Sequence, residues 1–302
     1  MNKIFIKLLV LLIIFNSCEL VINIDLPDKE KNLIINSFFC PDSLFKVNIS
    51  ESLNILDLLD VKYIDNATVQ IFENENLIEN LSPTGNGDYI SSSFKPVIGN
   101  AYKIIANNAN YSNVKAENII PNLIPVISID TSTIYDDYCE CIKCKIKFSD
   151  PGNKQNFYTF SIKYTTKYYD PDNSQDSTYS YTSGCFDSDD IIIEDWFYQK
   201  NQDIIIFSDD MINGKTYDLN ISFDKPYNES NDTTWVYFYL NSVSKEHFLY
   251  TRSYIQHSYS KDNPFVEPVK VYSNVSNDHG IFAGYSTYVD SIAVISKDYI
   301  NK

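Results

Sequence analysis

The chain has 302 residues, 44% of them hydrophobic, and a formal net charge of −16. That is enough apolar material for a packed core, in two ordinary domains or one large β domain, and it argues against disorder. So acidic a surface repels phosphate backbones and anionic membrane faces, which argues against nucleic-acid binding and charge-driven membrane adsorption.

The first element is an address. Lys3 and Lys7 precede and flank an unbroken apolar run at residues 8–15, and Asn16, Ser17 and Cys18 come next. This is the layout of a secretory signal peptide, and the run is too short to span a bilayer. Phe15-Asn16-Ser17-Cys18 reads as a relaxed lipobox, in which a small residue precedes a Cys that is acylated before cleavage. Residues 1–17 are expected to be removed and Cys18 to carry the acyl chains, two or more of which hold a protein firmly in a membrane. Cleavage takes Lys3 and Lys7 and no acid, so −16 becomes −18. Residues 18–32 then form a polar, charged tether.

Strands dominate the chain beyond the tether. Runs at 33–39, 45–50, 67–73, 77–81, 89–94, 101–106 and 114–120 are rich in Val, Ile, Tyr and Phe. Several alternate with polar residues, and turn signals such as Gly85-Asn86-Gly87-Asp88 and Gly99-Asn100 separate them. Short strands at this spacing predict an immunoglobulin-like β-sandwich over residues 33–121. Pro121 to Pro125 marks a boundary, and a second antiparallel β domain is expected over 125–302. Its first strand, 142–148, points Ile142, Cys144, Ile146 and Phe148 inward and Lys143, Lys145 and Lys147 outward. Further strands are expected at 157–169, 191–193, 204–208, 217–223, 235–243 and 285–295, with a polar acidic loop over 170–190. One helix is predicted near 244–258, capped by Ser244 and carrying Phe248, Leu249, Arg252 and Ile255 on one stripe. The fold class is therefore mostly β with a single helix.

Chemistry-bearing residues are sparse. With Cys18 acylated, Cys40, Cys139, Cys141, Cys144 and Cys185 remain, an odd number. Thiolates as closely spaced as Cys139, Cys141 and Cys144 suit zinc, but a full site needs a fourth ligand, for which Cys185 is the candidate. In an exported protein a disulfide from Cys139 or Cys141 to Cys185 is more natural, with unpaired thiols the alternative. Asp170, Asp172, Ser174 and Asp176 alternate like the opening of a calcium loop, yet Gln175 and Tyr181 stand where an EF-hand needs Gly and Glu. His247 and His257 fall about 280° apart on the predicted helix and so share no face. With His279 they are read as structural, and no nucleophile elbow, zincin helix or phosphate loop is present. Tyr164, Tyr168, Tyr169, Tyr179 and Tyr181 are either an exposed contact cluster or core and sheet packing. No metal or cofactor site is assigned.

The chain resembles the Bacteroidota outer-membrane lipoprotein family known as domain of unknown function 4249. The resemblance is carried by Cys18-Glu19 leading to INIDLP, by YIDNATVQIFEN, GNGDYIS and GNAYKIIA, and by FSDPGNKQNFYTF, FSDDMINGKTYDL and SVSKEHFLYTRSY. The most specific block is NPFVEPVKVYSNVSNDHGIFAGYS, in which Asn263-Pro264-Phe265 and Gly280-Ile281-Phe282 keep the family's order. His279 departs from it, standing where a small residue is more usual. The resemblance implies a surface or periplasmic lipoprotein, of a kind often encoded beside TonB-dependent outer-membrane receptors, with no catalytic residues to carry over. The expected function is thus a non-enzymatic, lipid-anchored accessory or binding protein in uptake of a small ligand or glycan. A surface hydrolase of glycans or peptides and a purely structural or adhesive module are the alternatives.

Overall fold

Period-two alternation buries every second residue of a strand, and this chain applies it repeatedly. The computed structural model describes residues 30–53, 60–135, 140–168, 177–182, 186–188, 190–193, 203–226, 233–261 and 265–295. Cys18, Cys139, Cys185, the segment 170–176 and nearly all of the signal and tether lie outside them.

The first half carries β1 (Leu33–Phe39), β2 (Lys46–Glu51), β3 (Thr68–Glu73), β4 (Asn76–Asn80), β5 (Ser82–Gly85), β6 (Asp88–Ile90), β7 (Ala101–Asn108) and β8 (Tyr111–Ile119). The second carries β9 (Val126–Tyr135), β10 (Glu140–Ser149), β11 (Phe157–Tyr168), β12 (Ser177–Thr182), β13 (Phe186–Asp187), β14 (Ile204–Ser208), β15 (Thr216–Asp224) and β16 (Thr233–Val243). Helix α1 (Lys245–Lys261) and β17 (Gly280–Ile295) complete the described elements. The protein is mostly β, with one helix among the described residues.

A nine-stranded sheet is the backbone of the molecule, ordered β12-β11-β16-β17-β1-β2-β6-β5 with β14 also paired to β11. Two four-stranded sheets, β4-β3-β7-β8 and β13-β15-β10-β9, cover one part of it each. The first buries Val69, Ile71, Tyr102 and Ile104 against Leu33, Ile35, Val47 and Tyr89 of the long sheet. The second buries Ile142, Ile146, Phe148 and Leu219 against Phe160, Ile162, Val236 and Phe238. Helix α1 lies on the opposite face, where Phe248 and Ile255 meet Phe157, Ile206 and Val243. Ser244 caps it as its sequence predicts: the hydroxyl accepts from the His247 amide at 3.2 Å.

Strand β17 joins the two cores. Residues Gly280 to Gly284 pair in parallel with β1, and Tyr285 to Ile295 pair antiparallel with β16. Phe282 reaches the first core and Val294 the second. Two glycines permit the junction. Gly280 has φ +98°, and a Cβ there would lie 2.0 Å from the Ile35 carbonyl oxygen. A Cβ on Gly284 would lie 2.5 Å from that of Ile119. Both would drive side chain into backbone that cannot yield.

Several expectations need correcting. The acidic stretch 170–190 is not loop throughout, since β12 and the two-residue β13 fall inside it. Residues 191–193 form a turn instead of a strand: Asp190 accepts from the Ile192 amide at 3.3 Å, and Ile192 and Ile193 drop into the core. The strand expected at 89–94 ends at Ile90, where the Ser91 hydroxyl bonds the Phe94 carbonyl and the Phe45 amide. Strands β5 and β9 fall outside the predicted runs; both are edge or near-edge strands with mostly exposed side chains.

Candidate functional site

Strand β10 has two faces. Its inward residues include Ile142, Cys144, Ile146 and Phe148, all buried. Its outward residues, Lys143, Lys145 and Lys147, stand on a sheet face that no second layer covers among the described residues. Register fixes their neighbours. Lys143 sits between Ser132 of β9 and Ser222 of β15, and Asp187 of β13 lies beyond Ser222. Lys145 sits between Asp130 and Asn220, and Lys147 between Ser128 and Asp218.

One flank of this polar face is walled. Ser188 donates to the Asn220 carbonyl at 2.6 Å, and Asp190 accepts from the Asn220 amide at 2.9 Å and from the Tyr217 hydroxyl. These bonds raise Asp187, Ser188, Asp190 and Ile191 over the sheet to wall a groove of about 770 Å³, with Ile191 on its rim. Burial, and then the bond to Asp190, push the Tyr217 phenol above its ordinary pKa, so it remains a neutral donor. The Cys144 thiol is pushed up to about 12 by burial, with Asp130 adding to it. It therefore stays protonated at neutral pH and is no nucleophile.

The charges in the groove divide into engaged and unengaged. Asp218 lies 3.8 Å from both Lys145 and Lys147. Asp190 is saturated by Tyr217, Asn220 and Ile192. Lys143 enters no ion pair among the described residues; the Asp187 carboxylate accepts from the Ser188 amide at 2.9 Å, and its carbonyl accepts from the Ser222 hydroxyl at 3.4 Å. Lys143 and Asp187 thus face solvent on the same rung, two strands apart, while Asp130 of the lining accepts from the Ser128 hydroxyl at 3.2 Å and stands opposite Lys145.

The residues singled out in the sequence fall elsewhere. Cys141 lies on the face of β10 opposite Cys144, its Sγ 3.6 Å from the Asp224 carboxylate. Its candidate partner Cys185, like Cys139 and the lipidation residue Cys18, is outside the described residues. Tyr164 belongs to the core, and the side chains of Tyr168, Tyr169, Tyr179 and Tyr181 are outside the described residues. The ring nitrogens of the histidines meet no acid or hydroxyl among the described residues. His257 Nδ1 faces the Val269 carbonyl at 2.7 Å and His279 Nδ1 the Asn277 carbonyl. His247 packs between Phe38 and Tyr285, and burial lowers its pKa to about 4, so it is neutral at pH 7. No cluster of three or more His, Cys, Asp or Glu among the described residues could hold a metal.

Sequence reasoning missed a pair of buried acids. Asp150 accepts from the Tyr158 hydroxyl and from the Gly214 amide at 2.8 Å. Asp209, 0% exposed, accepts from the Asn156 amide at 2.8 Å and from its side chain at 3.1 Å. Desolvation, with the nearby charge of Asp150 adding to it, raises the Asp209 pKa. Together they clasp the β10–β11 turn to the β14–β15 turn. The signal was available: each turn opens Phe-Ser-Asp and contains a Gly a few residues on.

No curated protein matches the chain. The family model described as domain of unknown function (DUF4249) matches residues 20–290. That span takes in both acid-clasped turns and the β17 junction, and the chain belongs to the DUF4249 family.

Proposed function

We propose that the protein is a lipid-anchored accessory or binding protein of the Bacteroidota outer membrane that partners a TonB-dependent receptor in ligand uptake. The walled polar groove carries the binding half of this reading. At about 770 Å³ it has the size of a small-molecule site, and its lining offers charges and hydroxyls without a nucleophile beside a base. Cys18, ending the apolar run, carries the anchoring half: acylation there tethers a protein in which no described helix is long and apolar enough to cross a membrane. The two layers of the first half, β1-β2-β6 against β3-β7-β8, are read as an immunoglobulin-like module that comes next in the chain after the tether.

Crosslinking in intact cells followed by affinity purification of the full-length protein tests the partnership. Recovery of a TonB-dependent receptor is expected. Purification that brings down no outer-membrane receptor counts against the reading.

A further inference from the structure

The groove is dipolar, and that restricts what it can hold. On one rung, Lys143 of β10 and Asp187 of β13 flank Ser222 of β15. Adjacent strands lie about 4.8 Å apart, so these opposite charges arise from backbone positions about 10 Å apart. Neither is neutralised by a protein ion pair among the described residues, whereas Lys145 and Lys147 share Asp218. Between them stand the Ser222 hydroxyl, which donates to the Asp187 carbonyl at 3.4 Å, and, one rung on, the Asn220 carboxamide, which donates to the Asp218 carbonyl at 3.0 Å, so that each offers a ligand its acceptor oxygen. The one aromatic in the lining, Tyr217, packs its ring against Phe148 and the second core, so it offers no open stacking platform for a sugar ring.

A ligand that satisfies this lining carries an anion at one end, a cation at the other, and hydrogen-bonding groups between. An extended peptide spans about 3.3 to 3.6 Å per residue, so three residues bridge about 10 Å. We propose that the groove binds a short peptide with free termini, its α-carboxylate on Lys143 and its α-ammonium on Asp187, with Ser222 and Asn220 bonding the intervening amides. This rests on the reading of the protein as a ligand-binding partner of a receptor and names its ligand class.

The test is equilibrium dialysis of the full-length protein in detergent against a mixed tripeptide pool, read by mass spectrometry. The same pool, acetylated and amidated, is the comparison. Free tripeptides should be retained at least about ten-fold more than blocked ones, since both charge pairs are lost together on blocking. Lys143→Gln and Asp187→Asn should each reduce retention of the free pool about three-fold or more, with unchanged circular dichroism, because both side chains are exposed. Equal retention of free and blocked pools, retention by the doubly substituted protein equal to that of wild type, or no retention at all overturns the proposal. A receptor recovered by crosslinking alongside any of these results leaves the accessory-protein reading standing and refutes the peptide alone.

Discussion

Replacing Phe282 with Ala tests whether β17 couples the two cores. The ring is fully buried and packs 4.6 Å from Phe39 and 5.8 Å from Phe45, centroid to centroid. Removing such a side chain costs the transfer energy of the lost atoms plus that of the cavity, about 3–5 kcal/mol. This is a large fraction of the ~5–15 kcal/mol that holds a domain folded. The loss falls in the first core, but the strand that bears Phe282 continues into eleven paired residues along β16. Trp235, exposed on β16 opposite Ala293 of β17, reports the sheet that backs the second core. In urea, the Trp235→Phe protein unmasks the fluorescence of the remaining tryptophan, and its subtraction from the parent isolates the Trp235 signal. If β17 transmits the loss, the Trp235 transition in Phe282→Ala shifts by the same free energy as the far-ultraviolet dichroism transition. A Trp235 transition that stays at its parental midpoint while the dichroism splits into two steps would refute the coupling.

Asp209→Asn should preserve the acceptor that holds Asn156 while removing a desolvated charge. Because the folded pKa of Asp209 is raised, the stability its neutral form provides is complete below the ordinary value of 3.8 and is lost as pH rises through the folded value. The variant should therefore gain on wild type as pH rises from about 4 to about 8, and urea midpoints at the two pH values that move in parallel would contradict this. Ser244→Ala removes the α1 cap and should cost about 1 kcal/mol in a thermal melt, with Ser244→Asp restoring it. Cys18→Ala should move the protein from the membrane to the soluble fraction, and retention in the membrane fraction would defeat the lipoprotein reading.

The fold is legible in the sequence wherever the physics is local. Strands with one buried face announce themselves: Ile142, Cys144, Ile146 and Phe148 alternate with three lysines, and all four are inside. Helix α1 is legible because Ser244 breaks the strand period and supplies its own cap. Strand β9 is not, because its side chains are mostly exposed and leave no apolar alternation. The run Ile191-Ile192-Ile193 misleads for the opposite reason: apolar residues plug a core equally well from a turn when Asp190 satisfies the backbone. The parallel pairing of β1 with β17 joins residues some 245 positions apart, as Ile35 with Gly280, and only the close approach at Gly280 requires it. The lysine row of the groove is visible as an outward face. What makes it a groove is the placement of Ser188 and Asp190 over it, fixed by their bonds to β15, and no local pattern encodes that.

A lipid anchor that holds a binding module beside a receptor has one decisive consequence: the partnership depends on Cys18. Crosslinking wild type and Cys18→Ala in intact cells, with affinity purification of each, reads it out. Wild type should recover a TonB-dependent receptor and Cys18→Ala should lose it, because the anchor supplies the local concentration. Wild-type protein that recovers no outer-membrane receptor would contradict the proposed function.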